Sequence, residues 1–206
     1  MLDPDSLRLV AITDDAQRDT NDIVQRALAC VRGGATMVQL RLKDADARTQ
    51  VEVARALIAA LPASVPLIMN DRADLAIASG AAGVHVGLED LPAAAVRRIL
   101  GPDRIIGVSV GNDGEALQAT VADYVGIGPV YATASKGDAG EAIGVAELER
   151  LVTVCARPAV GVGGIDASNA AAVVAAGARG VAVIRALFSA SDPEAAARSL
   201  RSAIGR

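Results

Sequence analysis

The sequence predicts an α/β fold, a closed (β/α)8 barrel of the TIM type that occupies residues 1–206 as a single domain. Three observations carry that expectation. One unit keeps returning: an Ala-rich amphipathic segment ends at glycine, and a short Val/Ile-rich run follows. Arg32-Gly33-Gly34-Ala35-Thr36-Met37-Val38-Gln39-Leu40 shows it, as do Ser79-Gly80-Ala81-Ala82-Gly83-Val84-His85-Val86-Gly87 and Ala176-Gly177-Ala178-Arg179-Gly180-Val181-Ala182-Val183. A glycine there closes a helix in the left-handed region and turns the chain into a strand. Strands alternate strictly with helical patterns, which implies a parallel sheet. Eight such units in 206 residues leave little room for anything but closure. A doubly wound open sheet, the alternative, more commonly has about five or six strands.

In chain order the strand candidates are Arg8–Ile12, Met37–Leu42, Leu67–Met69, Val84–Val86, Ile105–Val108, Tyr124–Ile127, Ala159–Val162 and Gly180–Ile184. The helical patterns between them have usable starts. Thr49 precedes Gln50–Leu61, Asp166 and Ser168 precede Asn169–Ala176, and Pro92 and Pro193 sit where first helical turns should begin. Gly128 to Gly144 has no clear periodicity and is much longer than the roughly 2–6 residues of an ordinary strand-to-helix loop. It falls on the face where barrel enzymes keep their chemistry, so it is expected to be a functional lid or a solvated insertion. No linker or second domain interrupts the alternation.

Hydrophobic residues make up 52% of the chain, enough for a sizeable core. With no Trp, one Phe and two Tyr, that core must come from Ala, Val, Leu and Ile. The net charge of −4 argues against a nucleic-acid partner, and no basic stripe offsets it. No apolar stretch is long and pure enough to span a membrane, and Met1 to Ser6 is polar, unlike a signal peptide. Cys30 and Cys155 have no metal-ligand spacing and read as reduced, packed thiols. The expectation is a soluble cytoplasmic protein. Monomer and homo-oligomer both stay open.

The sharpest chemical signal is Val38-Gln39-Leu40-Arg41-Leu42-Lys43-Asp44. Strand side chains alternate, so Gln39, Arg41 and Lys43 share one face and the apolar residues share the other. The apolar set suits helices, which sends the polar set into the barrel mouth. A buried cation there needs an anionic partner. Internal ion pairs could supply it. Phosphate or pyrophosphate is the alternative, with Arg as a bidentate fork and Lys as a point charge.

Asn70-Asp71 follows the third strand and Asp90 the fourth, each where a loop leaves the barrel. Two carboxylates beside basic groups suit magnesium bridging to ligand phosphates, while helix capping is the competing reading. His85, the only histidine, reads as a hydrogen-bonded barrel residue rather than a general base. Gly161-Val162-Gly163-Gly164-Ile165, together with Val183-Ile184-Arg185, matches the usual barrel phosphate site, against a plain glycine-rich turn. Ser109 after the fifth strand, with Thr133, Ser135 and Lys136 in the long loop, reads as further pyrophosphate contacts delivered by a closing lid.

From about Arg8 to the last helix the chain resembles the thiamine-phosphate synthase (thiamine-phosphate pyrophosphorylase) family. The likeness rests on Gln39-x-Arg41-x-Lys43, Asn70-Asp71, Gly83-Val84-His85-Val86-Gly87-x-Glu89-Asp90, Gly107-Val108-Ser109, Asp123-Tyr124-Val125-Gly126-x-Gly128-Pro129-Val130, Thr133-x-Ser135-Lys136 and Gly163-Gly164-Ile165. It implies a transferase reaction. 4-Amino-5-hydroxymethyl-2-methylpyrimidine pyrophosphate and hydroxyethylthiazole phosphate would give thiamine phosphate and pyrophosphate. By resemblance, Asp71 and Asp90 would hold Mg2+. Arg41, Lys43, Asn70, Ser109, Thr133, Ser135 and Lys136 would grip the pyrophosphate, and Gln39 would orient the pyrimidine. Of these, Arg41, Lys43, Ser109 and Lys136 would be the catalytic set. Backbone near Gly164, Ile184 and Arg185 would hold the thiazole phosphate.

The chain departs from the family at Ala132, where proline is usual, and at Leu42, where an acid is frequent. Ser135 replaces a threonine, Val110-Gly111-Asn112 is unusual, and Arg185 replaces a small serine. Two rival readings are a thiazole tautomerase-like isomerase of the same fold and a non-catalytic phosphate-binding paralogue. The isomerase group typically places a histidine after the strand-five serine, whereas Val110 stands here. The paralogue reading suffers because none of the expected magnesium or pyrophosphate residues is missing.

Overall fold

The computed structural model describes residues 2–14, 18–133 and 141–205. Eight parallel strands close a barrel in sequence order: β1 Leu9–Ile12, β2 Met37–Leu40, β3 Leu67–Asn70, β4 Gly83–Val86, β5 Ile105–Val110, β6 Tyr124–Ile127, β7 Ala159–Val162 and β8 Gly180–Val183. Around it lie α1 Thr20–Arg32, α2 Ala47–Ala60, α3 Ala73–Ser79, α4 Ala93–Leu100, α5 Asp113–Gln118, α6 Gly144–Cys155, α7 Ala170–Ala175, α8 Arg185–Phe188 and α9 Pro193–Ala203. The predicted fold is the observed one.

Alternation within each strand sorts the core into two layers. Leu9, Val38, Met69, Val84, Ile106, Val125 and Val181 face the helices. Val10, Ile12, Met37, Ile68, Tyr124, Val160 and Ala182 face inward, with Leu7 and Ile184 in the same interior cluster. Burying both faces explains why strands of this type read as Val/Ile runs rather than alternating polar patterns.

Several element ends differ from the sequence expectation. β2 stops at Leu40, so Arg41 and Leu42 lie beyond the ladder, and β8 stops at Val183, so Ile184 becomes the N-cap of α8. Asp46 rather than Thr49 caps α2, its carboxylate accepting from the Thr49 N–H. Thr49 is therefore inside the helix; Asp46 and Thr49 both read as caps locally, and the upstream one wins. Asn169 precedes α7, and Asp166 instead closes a local turn with Ser168. Pro92 is the N-cap of α4 rather than its first residue, whereas Pro193 opens α9 behind the Asp192 cap.

The roots of the long connection are tied together. Ile143 and Gly144 donate to the carbonyls of Pro129 (2.8 Å) and Val130 (3.0 Å), and Tyr131 donates to Gly163 (3.1 Å). Ser135 and Lys136 fall in 134–140, the part of the expected lid that lies outside the described residues.

Candidate active site

At the C-terminal ends of the strands a cavity of about 710 Å³ opens. Gln39, Arg41, Lys43, Asn70, Asp71, Asp90, Ser109, Thr133, Gly164, Ile184 and Arg185 all line it. The fold thus brings every described member of the expected site to one hollow, although these residues come from seven different strand ends and loops. Strand phase explains the first three. Gln39 is 4% exposed and points inward from β2, and Arg41 (3% exposed) and Lys43 continue that phase past the last ladder residue. Leu40 joins the helix-facing core on the opposite side, as expected.

Asp71 sits just past β3 in the left-handed region, φ 63°, a conformation that Asp and Asn tolerate better than bulkier residues. Its N–H donates to the carbonyl of His85 at 2.8 Å, which pins the β3 exit to β4. Asp90 folds back on its own loop and accepts from the Gly87 N–H at 2.7 Å. Neither carboxylate caps the helix that follows. Arg72 and Pro92 occupy the caps of α3 and α4, with no side-chain cap bond at either end. The helix-cap alternative is therefore not realised, and both residues line the cavity.

On the opposite rim, Gly163 (φ 95°) and Gly164 (φ 63°) form the turn after β7. A Cβ on Gly163 would approach Pro129 to 2.5 Å, and one on Gly164 would come within 2.7 Å of the Ala132 carbonyl. These glycines therefore also let the turn seat the root of the long loop, a role the sequence reading missed. The Ile184 carbonyl receives the N–H groups of Leu187 (3.1 Å) and Phe188 (2.8 Å), and no side chain closes the start of α8. Arg185, exposed, occupies the first helical position.

The far end of α8 is anchored by charge. Arg26 donates to the carbonyls of Phe188 and Ala190, both at 3.1 Å, and Arg18 donates to Phe188 at 3.2 Å. Arg18 is also paired with Asp14 at 3.0 Å, and the Ser189 hydroxyl donates to the same carboxylate at 3.0 Å. Side-chain hydrogen bonds that Arg18 donates to Asp14 and then Asp22, against desolvation, hold its guanidinium above the ordinary arginine range. Cationic groups at helix C-terminal carbonyls are favourable, so this cluster fixes α8 where it borders the cavity.

Sequence alone marks His85 as a hydrogen-bonded barrel residue and Tyr124 as a strand residue, with no site role for either. They face each other inside the barrel, Nδ1 to hydroxyl 3.1 Å, and His85 Nε2 lies 3.0 Å from Ser109 Oγ. The signal was available: Tyr124 and Gly126 share the inward phase of an otherwise aliphatic strand, β6. Arg97, by contrast, belongs to the other end of the barrel. It donates to the carbonyls of Gly101, Arg104 and Val121 and pairs with Asp123 at 2.7 Å. Asp123 also receives the Ile106 N–H at 2.8 Å, so this member of the resemblance motif is structural.

A closed parallel barrel whose mouth gathers buried and rim cations, several carboxylates and a double-glycine turn defines a phosphate-handling (β/α)8 enzyme. The comparisons narrow that class. The chain belongs to the thiamine monophosphate synthase family, whose family model matches residues 9–187. It is 47% identical over 204 residues to the thiamine-phosphate synthase of Xanthobacter autotrophicus, covering 98% of this chain and 97% of that one. It is 50% identical to the thiamine-phosphate synthase of Moorella thermoacetica, covering 92% of this chain and 90% of that one. Among solved structures, the thiamine phosphate pyrophosphorylase from Pyrococcus furiosus superposes with a TM-score of 0.86 at 34% identity, covering 98% of this chain and 96% of that one. No helix among the described residues is long and apolar enough to cross a membrane.

Proposed function

We propose that this chain joins 4-amino-5-hydroxymethyl-2-methylpyrimidine pyrophosphate to hydroxyethylthiazole phosphate, releasing pyrophosphate and leaving thiamine phosphate. The observation that carries the reading is one cavity lined on one side by Arg41, Lys43, Asn70 and Ser109 and on the other by Gly164, Ile184 and Arg185. Two phosphate-bearing substrates need two anion sites with reacting carbons between them, and this cavity has polar groups at both rims.

The chemistry asks little of acid–base groups. Pyrophosphate departs from a benzylic-type carbon, and the aminopyrimidine delocalises the cation that remains. The thiazole nitrogen, already carrying a lone pair, then forms the new carbon–nitrogen bond. Arg41, Lys43, Asn70, Ser109 and Thr133, with Ser135 and Lys136 of the long loop, would neutralise and hold the leaving group. Gln39 would orient the pyrimidine, and backbone near Gly164, Ile184 and Arg185 would hold the thiazole phosphate. Catalysis is charge neutralisation and alignment.

The donor set suits Mg2+. Asp71 and Asp90 present hard oxygens from neighbouring loops, and no group of three or more His, Cys, Asp or Glu side chains forms a closed cage among the described residues. Magnesium is commonly held by one or two carboxylates with substrate phosphate oxygens and water completing the shell. When bound, the ion would supply Lewis-acid charge to the leaving pyrophosphate. The free thiols of Cys30 and Cys155 are in keeping with a reducing, cytoplasmic setting.

The deciding experiment follows pyrophosphate release from the pyrimidine substrate with and without thiazole phosphate, in magnesium buffer. Stoichiometric thiamine phosphate and pyrophosphate, both dependent on the second substrate, are expected. Isomerisation of thiazole substrates alone, or tight phosphate binding with no turnover, would replace this reading with one of its rivals.

A further inference from the structure

Inside the barrel a file of side chains ends on Ser109. Tyr124 is 1% exposed, so its hydroxyl needs a hydrogen-bond partner within the barrel. His85 Nδ1 lies 3.1 Å from that hydroxyl, and His85 Nε2 lies 3.0 Å from Ser109 Oγ. The two rings stand 5.5 Å apart, tilted by 42°. Glycine clears their seats: a methyl on Gly107 would collide with both the Tyr124 ring and His85 Nδ1, and one on Gly126 would reach 3.0 Å from His85 Cε1. The inward positions of β5 and β6 are thus small where the ring pair needs room.

The order of donors follows from the buried end. Burial pushes the Tyr124 hydroxyl up, so the group stays a neutral phenol with one proton to donate. Of this pair the phenol is the better proton donor and a bare imidazole nitrogen the better acceptor, so the phenol proton goes to His85 Nδ1, 3.1 Å away. A neutral imidazole accepts at one nitrogen and donates from the other. Nε2 therefore carries the ring proton and gives it to Ser109 Oγ. The Ser109 proton is then turned away from the histidine, toward the cavity that Ser109 lines.

We infer that Tyr124 and His85 form a one-way hydrogen-bond relay that locks the Ser109 hydroxyl as a donor into the cavity. An anionic phosphate oxygen is the chemistry that would receive it. His85 and Tyr124 are thereby positioning residues acting through Ser109. The polarity is opposite to that of a serine nucleophile, whose histidine must accept the hydroxyl proton. The His85–Ser109 contact is a donor mount and not a hydrolytic pair. The identity of the ligand rests on the proposed function; the direction of the relay does not.

The single histidine of the chain makes the direction measurable. Nitrogen NMR of the full-length protein with isotopically labelled histidine, free of substrate, should show a proton on Nε2 and a bare Nδ1. A ring protonated at Nδ1, or at both nitrogens near neutral pH, overturns the relay. The second arm is a double-mutant cycle of Ser109→Ala and Tyr124→Phe, read as kcat and as KM for each substrate. Tyr124→Phe alone should lower kcat about tenfold, the scale of one hydrogen bond, with KM for thiazole phosphate unchanged. In the Ser109→Ala background it should add less than about twofold, because coupled residues are non-additive. Multiplying effects overturn the positioning role. If Tyr124→Phe fails to fold, the wild-type spectrum still decides. A wild-type enzyme without turnover would sink the proposed reaction and leave the spectrum to judge the relay.

Discussion

Thr13 and Arg41 are tied to each other twice: the Arg41 N–H donates to Thr13 Oγ1, and the Thr13 hydroxyl donates to the Arg41 carbonyl, both at 2.7 Å. The Thr13 N–H also reaches the Gln39 carbonyl at 3.0 Å. A fully buried hydroxyl thus carries the β1–β2 pairing past the last ladder residue and sets the backbone from which Arg41 enters the cavity.

Thr13→Val keeps the shape and removes both bonds. The Arg41 N–H and C=O would be left buried without that partner, a cost of about 1–3 kcal/mol. For a chain of this size that lowers Tm by roughly 2–4 °C per kcal/mol. KM for the pyrimidine pyrophosphate should rise while KM for thiazole phosphate holds. Calorimetry and steady-state kinetics on the same preparation check both. An unchanged Tm with unchanged KM would show that the double tie is not needed.

Arg41→Ala should cost roughly 1.5–3 kcal/mol of binding or transition-state stabilisation, the scale of a hydrogen bond to a charged group. That corresponds to about 10- to 150-fold in kcat/KM. Arg98→Ala, an exposed arginine on α4, is the matched control and should be near neutral. Arg97→Ala is not a control, since its guanidinium ties α4 to the loops before β5 and β6. It should instead lose about 1–3 kcal/mol of stability with little change in KM. Wild-type affinity in Arg41→Ala would mean that the inward phase of β2 does not reach the ligand.

Asp71→Asn and Asp90→Asn should raise the magnesium concentration needed for half-maximal rate and lower the rate at saturation. Each removes a carboxylate that lines the cavity beside the cationic end of β2. Magnesium titration of chelator-treated enzyme tests this. Full activity of both variants without added metal would remove magnesium from the reaction.

Cys30 should resist thiol reagents in the native protein. It is 0% exposed, and burial pushes its thiol up to about 12, partly opposed by Arg26. At pH 8 almost none is thiolate, the reactive form, and access is blocked as well. One slow class of thiol should become reactive only on unfolding. Rapid native labelling of Cys30, located by peptide mapping, would contradict this packing.

The long loop was recognisable by length and lack of periodicity, and its described roots bear out only that it leaves the C-terminal end of β6 and rejoins the chain at α6. Strand and helix types were legible throughout because each depends on a few neighbouring residues. Ends were less so. Thr49 and Asp46 both satisfy local capping rules, and only the backbone turn decides between them. Asp71 and Asp90 were found by their place after β3 and β4, since in a parallel barrel every strand delivers its C-terminal loop to the same face.

The sequence by itself determined the eight-fold alternation, the inward phase of Gln39, Arg41 and Lys43, and the glycine turn after β7. All of these are short-range consequences of side-chain alternation, helix period and backbone freedom. Tertiary structure alone decided which inward groups meet. His85 and Tyr124 are 39 residues apart and Thr13 and Arg41 are 28 apart, so no local pattern encodes their contacts. Barrel closure sets the stagger between strands, and that stagger puts His85 against Tyr124 and Ser109 and seats Thr13 under Arg41. Those distances are a property of the closed sheet, which forms only when all eight strands pack around one interior.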